Sequence, residues 1–432
     1  MKDSALRHGA RIAVRSAQLG AAAIGAAATL SIDAIRAGRD RDARLTALGR
    51  AAASLCTSLG ATFIKVGQIA STRADLLPEP VIRELARLRD EVPPFASDEV
   101  RRAVERELGK PVEALFASFE LRPVAAASVA QVHRAVLSDG RVVAVKVRRP
   151  DIERKVALDR SILLATGRAL ERIVPSLRLI ALEGALRQFC DAVEEQLDLQ
   201  IEAANNLRFT RNFADDPELV FPELVPALCT DGILTMAFIE GIHERDLELS
   251  TIDTKAVARA GMRIVCRMIF LHGFVHADLH PGNMRFLPPS RVALFDLGLV
   301  GRINDEDRIN TARMLFAFAT GDGVTVARIF HDSSPNARPP SYPSYEREMA
   351  EFVGGLQSRG LGNVQLTLEI GRLFDILRRH KIQARSHMTM VNLALMTAEG
   401  LGKRLAPELN LTDEAVPYLA EALGIPAPAK KA

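Results

Sequence analysis

The sequence predicts an α+β protein in which strands occur mainly in the middle of the chain and helices dominate both ends. Residues 1–117 are alanine-rich with few β-branched runs, which is typical of helices separated by prolines. Strand-like segments begin at Phe119, and beyond Gly241 the chain is again mostly helical. With 432 residues there is room for two or three domains and a large core.

Composition excludes several classes of protein. A formal net charge of +3 is close to balance, so no nucleic-acid partner is expected. The four cysteines are far apart and form no CxxC pair, which favours free thiols in a reducing compartment over a disulfide scaffold. We therefore expect a cytoplasmic protein. Peripheral association with the inner face of a membrane is compatible with this expectation.

The N-terminal region superficially resembles a signal peptide. Basic residues up to Arg15 precede an uncharged run over residues 16–32. This run is mostly alanine and glycine, which is too weakly apolar for a membrane span. It predicts a small-residue helix that packs closely on a partner or a membrane surface, and no later stretch predicts a transmembrane helix.

Within the helical extension, Lys65, Gly67 and Gln68 form a Lys-x-Gly-Gln motif. Alone this motif is weak, because a helix interrupted by a tolerated glycine explains it equally well. Its importance depends on the segments that follow.

The next segment predicts a β-hairpin with a lysine near its end. Strand patterns over residues 122–137 and 141–147 flank a Ser-Asp-Gly turn, and the second strand ends in Val-Ala-Val-Lys146. In protein kinases such a lysine holds the α- and β-phosphates of ATP. Where those kinases have a glycine-rich loop this chain has alanines, whose Cβ atoms narrow the accessible backbone conformations. The loop residues proposed to contact ATP are Ala125, Ala126, Ala127 and Ser128.

A kinase also needs a helical glutamate to pair with that lysine. Long helical segments are predicted over residues 151–213, and Glu202 is the chosen partner of Lys146, although a solvated acidic helix face is the alternative. Segments 220–225 and 233–241 are predicted to be the last strands of this lobe and a hinge. Adenine would lie against residues 236–239, which include Met236 and Phe238.

The stretch from Phe274 to Arg302 contains the remaining candidate groups. Two apolar segments, residues 284–287 and 292–295, flank a Pro-Pro-Ser turn and predict a small hairpin. Asp278, Asn283 and Asp296 lie at its ends, with the spacing of a kinase catalytic loop and its following Asp-x-Gly. Asn283 and Asp296 would bind Mg²⁺, Asp278 would orient or deprotonate the attacking oxygen, and Gly298 would allow a sharp turn.

Two other interpretations of this stretch are simpler. Aspartate, asparagine and glycine are common turn residues, although their order and spacing here argue against coincidence. His272, His276 and His280 would line a metal-binding face if the segment were one helix, but Gly273 and Pro281 disfavour a continuous helix.

Taken together, the motifs resemble those of the ABC1/UbiB (AarF) family of atypical kinases, in order, across roughly 350 residues. Further matches are Gln131-Val-His133, the segment from Asp198 to Asn205, Gly301-Arg302 and Glu399-Gly400. The resemblance implies a bilobal protein-kinase-like fold. The expected segments are a helical extension (1–117), an N-lobe (118–241), a helical C-lobe (242–425) and a disordered tail (426–432).

The resemblance also implies ATP and Mg²⁺ as cofactors and an activity closer to ATP hydrolysis or to phosphorylation of small molecules or lipids than to phosphorylation of proteins. Lys65, Gly67, Gln68 and Asp198 would gate the active site. Ubiquinone or other isoprenoid-lipid biosynthesis is the associated process, with membrane surfaces, isoprenoid lipids or lipid-biosynthesis enzymes as partners. Two departures are notable: Gln196 replaces the glutamate of the family's Glu-x-Asp pair, and Leu297 follows Asp296 where phenylalanine is usual.

Two alternatives remain open at this point. A nucleotide-regulated scaffold that binds lipid or protein would bind ATP or ADP with little turnover. A small-molecule phosphotransferase of the aminoglycoside-kinase type has a similar catalytic loop, but such enzymes lack a Lys-x-Gly-Gln extension.

Overall fold

The computed structural model describes residues 17–18, 20–22, 25, 30–33, 38, 40–71, 77–88, 94–173, 182–334, 337–359, 366–408 and 411–426. Within the small-residue helix expected over residues 16–32, residues 16, 19, 23–24 and 26–29 lie outside these ranges, as do residues 427–432 of the expected disordered tail (426–432). None of the described helices combines the length and apolar character needed to cross a lipid bilayer.

The described helices follow the predicted order along the chain. They are α1 (Arg41–Leu59), α2 (Ala61–Ser71), α3 (Glu79–Leu85), α4 (Ser97–Leu108), α5 (Val112–Leu115), α6 (Ile152–Ile173), α7 (Leu182–Glu195), α8 (Leu199–Asn212), α9 (Thr254–Cys266), α10 (Asp305–Thr320), α11 (Gly323–Ser333), α12 (Tyr342–Arg359), α13 (Leu366–Arg379), α14 (Ser386–Leu405) and α15 (Leu411–Leu423). A π-helical turn, Arg267–Leu271, continues α9.

Short strands are distributed between these helices. They are β1 (Ser118–Phe119), β2 (Ala125–Ala126), β3 (Ala130–Val136), β4 (Val142–Arg148), β5 (Leu219–Val220), β6 (Ile233–Ala237), β7 (Phe274–His276), β8 (Met284–Leu287), β9 (Arg291–Leu294) and β10 (Val300–Arg302).

The described chain divides into two compact units. The first lies within Met1–Ala203 and Glu223–Phe238, and the second within Ala204–Pro222 and Ile239–Ala432. The boundary at Ala203 falls inside α8, so this helix contributes its first turn to one unit and the rest to the other.

The first unit contains an antiparallel sheet in the order β1-β3-β4-β6, with β2 also paired to β3. Side chains on β4 alternate between its two faces. Val143, Val145 and Val147 belong to the apolar cluster that includes helix α4, whereas Ala144 clusters with Leu199 at the start of α8. Lys146 shares the phase of Ala144, and so the strand directs it to the face covered by α8.

The helical extension packs into the same unit. Ile69 and Ala70 of α2 and Val81 and Leu85 of α3 join a buried cluster with Val129, which follows the alanine-rich segment. Helix α1 begins at Arg41, where the Asp40 carboxylate accepts a hydrogen bond of 3.0 Å from the Asp42 amide. Helices α2 and α3 of the extension therefore share one apolar core with the start of β3.

The second unit holds two small sheets among its helices. Strands β7 and β10 pair antiparallel, and β5, β9 and β8 form a three-stranded sheet. The predicted hairpin is present as β8 and β9, with Met284 opposite Leu294. The apolar core of the second unit contains Phe270, Phe274 and Phe286, all essentially inaccessible to solvent.

One strand assignment from sequence is wrong. The sequence pattern places Val220 in the sheet of the N-lobe, but this residue belongs to β5 and pairs in parallel with β9 in the second unit. Only the residues after Pro222 join the first sheet, where Leu224 bridges to Met236. Proline cannot donate to a ladder, and the chain changes sheets at this residue.

Candidate active site

The structure brings Lys146 and Glu202 together. Lys146 Nζ lies 2.7 Å from Glu202 Oε2, and the two residues are 7% and 5% exposed. The alternation of β4 and the first turn of α8 place them on facing surfaces. Because a buried ion pair costs desolvation energy that its attraction barely offsets, its presence is weak grounds for stability and stronger grounds for function.

The alanine-rich segment forms a narrow hairpin above β3. Ala125 and Ala126 pair with Val132 and Gln131, and the Ala127 amide donates a hydrogen bond of 2.8 Å to the Ala130 carbonyl. Ser128 is fully buried, and its Oγ has no hydrogen-bond partner in the described part of the chain. The residues expected as a loop are thus a strand and a tight turn.

Met236 and Phe238 flank the end of β6 in the first unit. Met236 is 8% exposed and opposes Ala144 on β4, while the Phe238 amide donates a hydrogen bond of 3.0 Å to the Val142 carbonyl. The guanidinium of Arg134 lies 5.7 Å from the Phe238 ring centre. Both residues are therefore held by the sheet that carries Lys146.

The second unit holds the catalytic-loop candidates. Asn283 Nδ2 donates to the Asp278 carbonyl oxygen at 3.1 Å and lies 3.4 Å from Asp278 Oδ2. With its amide nitrogen occupied, Asn283 retains Oδ1 as a candidate metal ligand. The Asp278 side chain is 40% exposed, so its carboxylate is accessible to a substrate hydroxyl or water.

His276 supports this loop from beneath. It is fully buried; its Nε2 donates to the Phe295 carbonyl at 3.1 Å, and its Nδ1 accepts from the Asp278 amide at 3.1 Å. Burial lowers the pKa of this imidazole, which favours the neutral form that both hydrogen bonds require. His280 Nδ1 accepts a hydrogen bond from the Gly282 amide. The His276 and His280 rings therefore both form hydrogen bonds with backbone groups of the loop.

The hairpin carries Asn283 and Asp296 to the same end of the small sheet. The Phe295 amide donates to the Asn283 carbonyl at 2.9 Å, which places Asp296 one residue beyond this pair. The turn expected at Gly298 is present over Leu297 and Gly298, and the residue before it, Asp296, has a left-handed backbone with a φ of 50°. Aspartate and asparagine tolerate this left-handed region better than most residues.

The Lys-x-Gly-Gln motif lies in the uninterrupted helix α2. Lys65 is 7% exposed, and Gln68 Nε2 donates a hydrogen bond of 3.2 Å to the Leu88 carbonyl. A Cβ on Gly67 would lie 2.4 Å from Leu88 Cδ1 and 3.1 Å from Cys56 Sγ. Gly67 is therefore a close-packing position inside the extension.

Asp198 and Gln196 lie just before α8. Asp198 Oδ1 accepts a hydrogen bond of 2.9 Å from the Gln200 amide and caps the helix that carries Glu202. Gln196, which stands where the resemblance expects glutamate, has a buried Nε2 without a hydrogen-bond partner among the described residues.

Comparison with protein families assigns both the strand-rich part and the later helices. Residues 87–330 match the ABC1 atypical kinase-like domain, which is more than half of the chain. The chain belongs to the ABC1 family. Residues 350–410 match the UbiB helical domain, so the family expected from the motifs and the kinase-like α+β fold are confirmed.

Curated relatives agree with this assignment. A probable protein kinase UbiB of Pseudomonas fluorescens (strain Pf0-1) is 36% identical over 369 residues, covering 84% of this chain and 69% of that protein. The protein of the same name from Pseudomonas aeruginosa (strain UCBPP-PA14) is also 36% identical with the same coverage. Among solved structures, the Rv3197–erythromycin complex of Mycobacterium tuberculosis aligns with a TM-score of 0.49 at 22% identity, over 79% of this chain and 91% of that chain.

Sequence reasoning about this ABC1 chain assigned no role to two residues that support the candidate groups. Asn205 is 4% exposed and donates a hydrogen bond of 2.9 Å to the carbonyl of Leu297, the neighbour of Asp296. Arg149 holds the turn of the alanine hairpin through Nε and the Ala127 carbonyl, 3.0 Å apart. The signal for Arg149 was its position three residues after Lys146, but its partner follows only from the fold.

Each unit carries groups that are chemically suited to part of a magnesium–nucleotide complex. In the second unit, Asn283 Oδ1 and the Asp296 carboxylate are oxygen groups of the kind that Mg²⁺ prefers, and in the first unit the Lys146 ammonium is a cation of the kind that binds phosphate. The unpartnered Ser128 hydroxyl offers a further polar group beside the alanine hairpin. Among the residues that the structure describes, no cluster of three or more histidine, cysteine or carboxylate side chains forms a separate metal site.

Proposed function

We propose that this ABC1/UbiB protein is a Mg²⁺- and ATP-dependent phosphotransferase or ATPase. The buried ion pair between Lys146 and Glu202 is the observation that carries the proposal, because a lysine fixed by a helical glutamate is the phosphate-holding device of kinases. The loop residues Asp278, Asn283 and Asp296 complete the set of groups that phosphoryl transfer needs.

In this proposal each side chain has a defined task. Glu202 keeps the Lys146 ammonium extended toward the α- and β-phosphates. Asn283 Oδ1 and the Asp296 carboxylate coordinate Mg²⁺, which when bound supplies positive charge against the phosphate oxygens. Asp278 orients the attacking hydroxyl or water and accepts its proton, while the Asn283 amide nitrogen fixes the loop around it.

The remaining candidates set access and nucleotide contacts. Residues Ala125–Ser128 contact phosphate through backbone amides, and adenine lies along Met236 and Phe238. Lys65, Gly67 and Gln68 gate the site, with Asp198 acting through the helix it caps. The acceptor is a small molecule or lipid, and the protein serves ubiquinone or other isoprenoid-lipid biosynthesis at a membrane surface. The relatives named as probable protein kinases UbiB support the phosphotransferase part of this proposal.

The test is ADP release from Mg-ATP by the purified chain, compared with Asp296→Asn. Asparagine tolerates the left-handed backbone at this position and removes the charge that binds metal. We expect turnover to fall at least about a hundredfold, since loss of a transition-state electrostatic contact commonly costs that much. Asp305→Asn is the matched control, because the Asp305 side chain is 90% exposed at the start of α10.

Vesicles of neutral lipid and of neutral plus anionic lipid form two further arms of the same assay. Turnover that rises with anionic vesicles and disappears in Asp296→Asn would support a membrane-responsive enzyme. Full turnover in Asp296→Asn would contradict the assigned metal ligand. Tight nucleotide binding without turnover in the native chain would contradict an enzyme and favour a nucleotide-regulated scaffold.

A further inference from the structure

The turn of the alanine hairpin is fixed by one side chain from the strand that carries Lys146. Arg149 directly follows β4, and its backbone amide donates a hydrogen bond of 2.9 Å to the Val129 carbonyl. Its Nε donates to the Ala127 carbonyl at 3.0 Å. Two carbonyl oxygens within three residues of the turn are thus held by a single arginine.

This anchoring determines which way the turn's amide groups point. A trans peptide is planar, so the N–H of a residue points opposite to the carbonyl of the residue before it. With the Ala127 carbonyl held by Arg149, the Ser128 N–H must point away from Arg149. The direction of the Ala130 N–H is fixed in the same way, because the Val129 carbonyl accepts the hydrogen bond from the Arg149 backbone amide.

The arginine is itself in contact with Phe95, which lies in the short segment just before α4. Its guanidinium lies 5.4 Å from the centre of the Phe95 ring. The Phe95 backbone is in turn gripped by the Gln131 amide: Phe95 N–H donates to Oε1 at 3.0 Å, and Nε2 donates to the Phe95 carbonyl at 3.4 Å. Gln131 is 1% exposed and pairs with Ala126 on the same hairpin.

We propose that Arg149 is a positioning residue for nucleotide phosphates, acting through the backbone of the alanine hairpin. The hairpin lacks glycine, so its peptide orientation depends on the carbonyl anchors and not on free rotation toward the ligand. By holding the Ala127 carbonyl, Arg149 keeps a carbonyl dipole from facing the anion and presents the Ser128 N–H. This inference rests on the proposed function, because it assumes that the hairpin contacts the β-phosphate of a nucleoside diphosphate or triphosphate.

The experiment measures dissociation constants of adenosine, AMP, ADP and ATP in the presence of Mg²⁺ for the native chain and for Arg149→Gln. We expect ADP and ATP to bind about tenfold more weakly, the scale of one hydrogen bond to a charged group, while adenosine affinity stays the same. Arg149→Lys keeps the charge but not the placed Nε donor, so its ADP affinity should stay reduced.

Arg154→Gln is the matched control, because Arg154 lies in the same unit with an 82% exposed side chain. Its nucleotide affinities should equal those of the native chain. If Arg149→Gln does not fold, Arg149→Lys alone carries the comparison, since it preserves the charge over Phe95.

The outcomes separate this inference from the proposed function. Unchanged ADP affinity in folded Arg149 variants would overturn the positioning role while leaving the enzyme assignment intact. Equal losses for adenosine and ADP would also overturn it, because they would indicate a general disturbance of the fold. Failure of the native chain to bind any Mg-nucleotide would overturn the proposed function first.

Discussion

The Asn205 side chain donates a hydrogen bond of 2.9 Å to the carbonyl of Leu297, while its neighbour Asn206 donates one of 3.1 Å to the carbonyl of Pro222. Both asparagines are 4% exposed. They therefore make the same type of buried bond, but only Asn205 holds the segment that contains Asp296.

This pair gives a controlled test of metal-site support. Asn205→Ala and Asn206→Ala should each lower the free energy of unfolding by about 1–3 kcal/mol, because each leaves a buried carbonyl unpaired. Only Asn205→Ala should also weaken Mg²⁺ binding, measured as the Mg²⁺ dependence of ADP-induced thermal stabilisation. Equal Mg²⁺ affinity in the two variants would contradict the role given to Asn205.

The Lys146–Glu202 pair predicts strong coupling in a double-mutant cycle. Lys146→Met or Glu202→Gln should cost about 3–5 kcal/mol, because each breaks a buried ionic contact of the other group. Combining Lys146→Met with Glu202→Leu should recover much of this loss without restoring turnover. Urea unfolding measures the cycle, and strictly additive losses would show that the two side chains do not interact energetically.

His133 predicts a loss of stability in acid. Burial lowers the pKa of its imidazole from the ordinary value of 6.5, and the hydrogen bond from Nδ1 to the Glu120 carbonyl only partly offsets this. The unfolded chain then binds more protons near pH 6, so the stabilising contribution is present above about 6.5 and is lost as pH falls through the folded-state pKa.

In His133→Gln the slope of the unfolding free energy against pH between about 7 and 5 should be smaller than in the native chain. The decrease should correspond to at most one fewer proton taken up on unfolding. The difference between the two proteins at pH 8 reports packing alone and serves as the reference. Parallel curves over the whole range would show that His133 does not contribute to acid sensitivity.

Two glycines of the second unit predict opposite effects of alanine. A Cβ on Gly261, inside α9, would have no described atom within 4 Å apart from its chain neighbours and the backbone of its own helix, and this glycine lines an apolar cavity with Leu279 and Met284. Gly261→Ala should therefore raise the free energy of unfolding by about 1 kcal/mol through helix propensity.

Gly273 is the counterpart, because its φ is 55° and a Cβ added to it would lie 2.5 Å from the Ile303 carbonyl oxygen. Gly273→Ala should destabilise the protein by more than Gly261→Ala stabilises it, because it combines backbone strain with a clash. Thermal unfolding checks both changes. Stabilisation by Gly273→Ala would contradict the described β7–β10 region.

Local patterns predicted those parts of the fold whose causes lie close together in sequence. The Pro-Pro turn between two apolar segments predicted β8 and β9, and the Asp139-Gly140 turn predicted β3 and β4, with Gly140 at a φ of 88°. For Lys146 the resemblance supplied the expectation of a glutamate partner. The alternation of β4 and the phase of α8 then explain why Glu202 reaches it.

The remaining features depend on contacts between distant segments. Nothing near Val220 indicates that its parallel partner is Ala293, which lies far along the chain, so its sheet could not be inferred. Likewise, the left-handed φ of Asp296 and the bonds made by Asn205 and Arg149 arise from tertiary packing that overrides local preference. Alternation and turn chemistry carry no information about such pairings.

Because Cys56 of α1 lies close to Gly67 of α2, the reactivity of its thiol reports whether these two helices are packed together. Burial raises the pKa of the Cys56 thiol to about 11, so little reactive thiolate exists at neutral pH while α1 and α2 stay packed. Any separation of these helices that restores an ordinary thiol pKa would increase the rate of alkylation. The rate at which a maleimide or iodoacetamide labels Cys56 therefore measures how often α1 separates from α2, the helix that carries Lys65. No cysteine needs to be introduced for this measurement.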